Sequence, residues 1–169
     1  GDWSPYRLVP DCIKSWSKNE QVVIRNPDST RPWQHVLEPL SGYLLLASKL
    51  YLNQELRGEA FNFGPPANQN FNVMSVVNEM SKYWDQVKWE TNKNKSFDES
   101  GLLKLNCDKA LSKITWEPVW NFNETIYHTV NWYKNFYVKK DDSFQLSLNQ
   151  IKDYTDSAIS KGLSWTNAE

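Results

Sequence analysis

The chain has 169 residues, 40% of them hydrophobic, and is therefore long enough to form one domain with a substantial core. Its 19 basic and 20 acidic residues give a formal net charge of −1 without any basic stripe or tail, which argues against nucleic-acid binding. The longest apolar run is much shorter than the ~20 residues that a membrane-spanning helix needs, so we expect no membrane association.

The first part of the chain is predicted to alternate helices with short extended segments. Apolar residues at helical spacing predict a helix over Leu8–Trp16, and Val22–Ile24 has the composition of a strand. A second extended segment is expected at residues 33–37. The strongest helical pattern covers residues 38–52, where Glu38 suits the first helical turn because its charge opposes the helix dipole.

The rest of the chain continues the alternation. The predicted elements are strands at 60–63 and 87–90, a helix that runs through Met80 to Trp84, and helices at 107–114, 124–137 and 146–159. Asn72 or Ser75 is expected to cap the first of these helices, and Asn121 or Asn123 the third. Strands alternating with helices predict an α/β architecture.

Arg25 and Arg31 flank a polar turn that follows the first predicted strand. Pro32 keeps the backbone at Arg31 extended. Two planar, permanently charged guanidinium groups on one tight turn suit a phosphate or diphosphate better than lysines would. Both arginines could equally pair with surface carboxylates such as Asp28, because most surface arginines form only weak ion pairs. The residues alone leave these two interpretations open.

No complete catalytic motif is present in the sequence. The six glycines provide no phosphate-cradling loop, and no tyrosine is followed by a lysine four positions later. His35 and His128 are isolated histidines for which we expect structural roles. Cys12 and Cys107 lie far apart and without metal-ligand spacing, which indicates reduced thiols in a cytoplasmic protein and no metal site.

Three motifs together resemble the CDP-glucose 4,6-dehydratases, which are extended short-chain dehydrogenase/reductases that act on nucleotide sugars. The motifs are Arg-Leu-Val-Pro-Asp-Cys-Ile at residues 7–13, Arg-Pro-Trp-Gln-His-Val-Leu-Glu-Pro-Leu at 31–40 and Phe-Asn-Phe-Gly-Pro at 61–65. Shorter matches continue to about Tyr154. The resemblance implies the C-terminal half of such an enzyme, which has a Rossmann-type fold.

The resemblance also implies a domain organisation. Residues 1–140 would form mainly the small substrate-binding domain, together with a late strand and helix of the dinucleotide domain. Residues 141–169 would form a C-terminal helical tail. The sequence begins at Gly1 without a methionine, and we expect it to be a fragment of a longer protein.

Four substrate contacts follow from the resemblance at positions near the first strand. The position of Arg31 contacts the substrate diphosphate in related dehydratases, which agrees with the physical interpretation of the turn. The positions of Arg7 and Leu8 contact the nucleotide. The position of Ile24 lines the base pocket. The role of Arg25 stays open between a ligand contact and a residue that only shapes or supports the turn.

Two further contacts are implied later in the chain. Asn72 matches a second polar contact to the substrate, and Glu99 matches a loop position near the nucleotide. The family usually has His-Glu-Ala around that glutamate, whereas this chain has Asp98 and Ser100 on either side of it. Asn106 similarly replaces an aspartate. These departures indicate a divergent member.

By the same resemblance, the parent enzyme would use NAD to convert CDP-glucose into CDP-4-keto-6-deoxyglucose for deoxysugar and O-antigen biosynthesis. The glycine-rich NAD loop and the catalytic Tyr/Lys pair would lie in the other half. We therefore expect this chain to bind CDP-glucose without catalysing its conversion, and the parent to be a homo-oligomer. The alternatives are another nucleotide-sugar epimerase or dehydratase, or a non-catalytic nucleotide-sugar-binding module.

Overall fold

The computed structural model of the protein describes residues 2–91 and 101–166. Within these ranges it has six α-helices and two short strands. In chain order they are α1 (Leu8–Trp16), β1 (Val22–Ile24), α2 (Leu37–Leu52), α3 (Val73–Met80), β2 (Trp89–Thr91), α4 (Asp108–Ile114), α5 (Phe122–Lys134) and α6 (Ser143–Ser160). None of these helices is long and apolar enough to cross a membrane.

The two strands pair in parallel, with Val22 opposite Trp89 and Ile24 opposite Thr91. Two parallel strands need a long crossover between them, and here α2 and α3 lie within that connection. Val22 and Ile24 point into the core, whereas Val23 between them is 48% exposed. A mixed helical fold with a small parallel sheet is compatible with the predicted α/β class.

The largest hydrophobic core lies among α1, β1, α3 and α5. Cys12, Ile13 and Trp16 of α1 are almost completely buried in it, at positions that fall on one helical face. The indole N–H of Trp16 donates to the carbonyl oxygen of Lys88 at 3.0 Å, just before β2. This core therefore packs α1 against the sheet and fixes the rotation of α1 about its own axis.

A buried carboxylate joins α2 to the C-terminal part of the chain. Glu38 is 1% exposed and accepts hydrogen bonds from the backbone N–H groups of Val119 and Trp120, at 2.9 and 2.8 Å. It also accepts from the hydroxyl of Tyr154 in α6, at 2.7 Å. A buried charge is costly unless it is fully hydrogen-bonded, and these three donors meet that requirement.

The predicted bounds agree well with the structure where local signals are strong. α1 and β1 begin and end at the predicted residues, and α2 begins one residue earlier than expected. The side chains of Asn72 and Asn121, rather than Ser75 and Asn123, cap α3 and α5. Asn121 and Glu124 form a reciprocal capping box.

Other predicted elements were wrong. Residues 60–63 form no strand, because the chain provides them with no strand partner in its described part. Phe63 instead packs over Gly42 of α2, so closely that a Cβ at that glycine would overlap the ring. Residues 33–35 belong to no sheet, Val36 forms a turn with right-handed helical dihedral angles, and Leu37 already lies in α2.

Further bounds differ from the prediction, and α5 and α6 begin two and three residues earlier than expected, at Phe122 and Ser143. α3 ends at Met80 rather than at residue 84. β2 begins at Trp89, two residues later than expected. α5 ends at Lys134 rather than at residue 137, and a π-helical turn over Asn135–Lys139 follows it. None of these shifts moves a residue of the predicted binding site.

Candidate functional site

A cleft of about 370 Å³ lies beside the carboxyl end of β1. Its walls come from the start of α1, from β1, from the turn that follows β1 and from the first residue of α3. The lining residues are Tyr6, Leu8, Asp11, Val22, Val23, Ile24, Arg25, Asn26, Ser29, Arg31, Trp33 and Val73. In α/β folds, ligands commonly bind outside the carboxyl ends of parallel strands.

The turn after β1 is fastened to the N-terminus of α3. The backbone N–H of Val73 donates to the carbonyl oxygen of Ser29 at 2.9 Å, and the N–H of Met74 donates to that of Pro27 at 3.0 Å. The first N–H groups of a helix have no partner within the helix, so this turn satisfies two of them. The backbone that carries Arg31 is consequently held in place on the α3 side.

Three of the predicted site residues meet in this cleft. Leu8 contributes from α1, Ile24 from the end of β1 and Arg31 from the end of the turn. Arg31 is partly buried, and its Nη1 donates to the carbonyl oxygen of Thr30 at 2.7 Å. The cleft thus combines an apolar wall with a permanently charged donor, as a nucleotide ligand requires.

The remaining predicted residues lie elsewhere or outside the described residues. Arg7 does not line the cleft, and its Nη1 bonds to Oδ2 of Asp2 at 2.9 Å on the surface. Asn72 uses its side-chain oxygen to accept from the N–H and hydroxyl of Ser75, both at 2.8 Å. Asn72 therefore supports the site through α3. Glu99 lies outside the described residues.

Arg25 also lines the cleft, where it contacts Tyr6. Its guanidinium carbon lies 5.4 Å from the ring centroid of Tyr6, and its Nη2 donates to the carbonyl oxygen of Tyr6 at 3.3 Å. Among the described residues, Arg25 forms no ion pair with Asp28.

Tyr6 was missed by sequence reasoning. It is 80% exposed and has a φ of +65°, a left-handed conformation that costs an ordinary residue roughly 1–2 kcal/mol. Backbone strain of this kind is enriched at functional sites. The signal in the sequence was weak, because an aromatic residue after a proline in a loop has no typical role.

Asp11 and Trp33 were also missed. Asp11 lies in the first turn of α1, three residues after Leu8 and hence on the same face of the helix. Trp33 is fixed by a hydrogen bond from its indole N–H to the carbonyl oxygen of Phe71, at 2.8 Å. A fixed aromatic ring and a carboxylate add a flat wall and a hydrogen-bond acceptor to the cleft.

The histidines and cysteines lie away from this cleft. His35 is 5% exposed, and its Nδ1 accepts from the N–H of Leu37 at 3.2 Å, whereas His128 stacks on Trp120 with ring centroids 3.8 Å apart. Burial raises the pKa of the Cys12 thiol to about 12, so it is unreactive. Across residues 2–91 and 101–166, no group of His, Cys, Asp and Glu side chains could hold a metal ion.

Comparison with known proteins identifies a relative. The chain is 41% identical, over 155 residues and 91% of its length, to a CDP-glucose 4,6-dehydratase of Salmonella typhimurium strain LT2. The resemblance to the CDP-glucose 4,6-dehydratases is thereby confirmed. The match covers 43% of that dehydratase, so the chain spans less than half the length of its relative. A comparison with models of protein families gave no match.

Proposed function

We propose that this chain is the nucleotide-sugar-binding part of an NAD-dependent CDP-glucose 4,6-dehydratase. Such an enzyme converts CDP-glucose into CDP-4-keto-6-deoxyglucose and water. The observation that carries the proposal is the 41% identity to a CDP-glucose 4,6-dehydratase across 91% of the chain. A match of that extent, without long unmatched segments, favours a shared substrate over a merely shared fold.

The cleft beside β1 supports this proposal. A nucleotide sugar combines a flat base, a diphosphate and a polar sugar. Leu8, Ile24 and Val73 provide apolar surface for the base, and Arg31 provides charged donors for the diphosphate. Because the turn that carries Arg31 is anchored to α3, its cation is positioned before the ligand arrives. Such preorganisation reduces the entropic cost of binding.

The sequence contains no glycine-rich loop for NAD. Its glycines, at positions 1, 42, 58, 64, 101 and 162, do not form the loop that cradles a dinucleotide diphosphate. NAD, bound by another part of the enzyme, would take up and return the hydride in this reaction. The role of the present residues is then to hold the sugar in place, and positioning can lower a barrier by ~7–11 kcal/mol in the best intramolecular cases.

Three further parts of the proposal follow from the same assignment. We place the enzyme in the cytoplasm, where nucleotide sugars would be its substrates. We assign it to deoxysugar biosynthesis, such as that of O-antigens. We expect the parent enzyme to be a homo-oligomer. The domain limits at residues 1–140 and 141–169 remain predictions.

The central test is Arg31→Ala in a calorimetric titration with CDP-glucose. Loss of charged hydrogen bonds worth about 1.5–3 kcal/mol should weaken binding by roughly 10- to 100-fold. Binding of cytidine, which has no phosphate, should change much less. Arg57→Ala is the matched control, because Arg57 is an exposed arginine that does not line the cleft.

Two results would contradict the proposal. Equal affinity of the wild type and the Arg31→Ala variant for CDP-glucose would exclude the diphosphate role of Arg31. Failure of the wild-type chain to bind CDP-glucose at all would refute the binding function.

A separate incubation of the chain with NAD and CDP-glucose should yield no product lighter by one water in a mass spectrum. Such a product would show that the chain catalyses the reaction itself.

A further inference from the structure

The carboxylate of Asp11 belongs to the lining of the cleft. Its backbone N–H donates to the carbonyl oxygen of Arg7, at 3.0 Å, as the first turn of α1 requires. Its carboxylate forms no hydrogen bond or ion pair with any residue in the described ranges 2–91 and 101–166. The group is half-buried and lines the cleft, so it is available to a ligand.

The surroundings of Asp11 restrict what that ligand group can be. Leu8 lies on the same face of α1, and Ile24 of β1 lines the same cleft, so the carboxylate shares the cleft with apolar side chains. The cations of the cleft, Arg25 and Arg31, come from the turn beyond β1. A carboxylate repels phosphates, so the phosphates belong near the arginines. The group that faces Asp11 must then be an uncharged part of the ligand that donates a hydrogen bond.

A carboxylate can only accept hydrogen bonds, which separates the pyrimidine bases. Cytosine carries an exocyclic amino group at C4, which donates. Uracil and thymine carry a carbonyl oxygen at the same place. This oxygen and the carboxylate are both acceptors, so neither could form a hydrogen bond with the other. We propose that Asp11 accepts a hydrogen bond from the exocyclic amino group of cytosine and thereby makes the cleft prefer cytidine nucleotides. This inference rests on the proposed function, from which the nucleotide-sugar ligand is taken.

The test compares CDP with UDP in calorimetric titrations of the 169-residue chain. The wild type should bind CDP at least about 10-fold more tightly than UDP, the lower end of what one good base contact provides. Asp11→Asn should bring the ratio close to one, because a rotated amide can accept from cytosine or donate to uracil. Asp11→Ala should weaken binding of CDP and strengthen that of UDP, because it also removes the carboxylate that opposes the uracil carbonyl.

A control variant separates base recognition from general charge. Asp28→Asn removes an exposed carboxylate of the neighbouring turn that does not line the cleft, and it should keep the wild-type ratio. A purely structural role of Asp11 would lower the affinities for CDP and UDP by the same factor, which would overturn the inference.

The two proposals fail in distinguishable ways. If Arg31→Ala weakens binding of CDP while Asp11→Asn leaves the CDP-to-UDP ratio unchanged, the role of Asp11 is wrong and the binding function stands. A wild-type chain that binds CDP and UDP equally has the same consequence. If the wild type binds neither nucleotide, the binding function is wrong, and the role of Asp11 is wrong with it.

Discussion

Acid should destabilise this protein through His35, a buried histidine just before α2. The imidazole is 5% exposed, and its Nδ1 accepts a hydrogen bond from the backbone N–H of Leu37. The edge of the ring packs on Trp120, with centroids 4.9 Å apart. A proton on Nδ1 would remove the acceptor and place a charge in the core, so the folded state holds the neutral form.

The size of the effect follows from the pKa. Burial, with a smaller contribution from nearby His128, lowers the pKa of His35 from its usual 6.5 to about 4. Between these values the unfolded chain binds a proton that the folded chain does not, so the free energy of unfolding falls as the pH falls from about 6.5 towards 4. At about 1.4 kcal/mol per pH unit, the full effect is about 3 kcal/mol.

The perturbation is His35→Asn, whose side-chain oxygen can also accept from the N–H two residues later but does not titrate. Urea unfolding of both proteins should be measured at pH 7.5 and pH 5. The wild type should lose about 2 kcal/mol more than the variant between these values. Other groups titrate in both proteins and cancel in the difference. Parallel losses of stability would mean that folded His35 takes up its proton at an ordinary pH, despite its burial.

Two other substitutions test the packing around α2. Tyr154→Phe removes the hydroxyl that donates to buried Glu38. In urea titrations it should lower the free energy of unfolding by about 1.5–3 kcal/mol. The control is Tyr127→Phe, at a residue that is 44% exposed, which should change the free energy of unfolding by less than about 0.5 kcal/mol. Gly42→Ala adds a methyl group that overlaps the ring of Phe63, so it should lower the free energy of unfolding by about 1–3 kcal/mol. An increase in the melting temperature would instead mean that the higher helix propensity of alanine outweighs the overlap.

Local rules predicted the parts of the fold that depend on neighbouring residues. The spacing of Cys12, Ile13 and Trp16 marks the buried face of α1, and the structure buries those residues. The capping of α5 by Asn121 likewise depends on residues within one turn. The prediction of a strand at residues 60–63 was wrong for the opposite reason, since a strand needs a partner that is distant in sequence. Phe63 instead packs its apolar ring against α2 and Trp116.

The candidate site shows the same division. The turn with Arg25 and Arg31 could be found from its composition and from the resemblance, because turn and cations are contiguous in sequence. Asp11 could not be found, because an acidic residue in the first turn of a helix is ordinarily explained by the helix dipole. Its carboxylate reaches the cleft only because the core fixes the rotation of α1 about its axis.

The three hydrogen bonds to Glu38 have a consequence for how the protein opens. A single acceptor on α2 is shared by the 119–120 backbone and by α6, so α6 cannot detach without leaving a buried carboxylate short of one donor. Terminal helices commonly fray at almost no cost in free energy. Here the C-terminal helix and α2 would instead unfold as one sub-global unit, and the amide protons of α6 would exchange on the timescale of the interior.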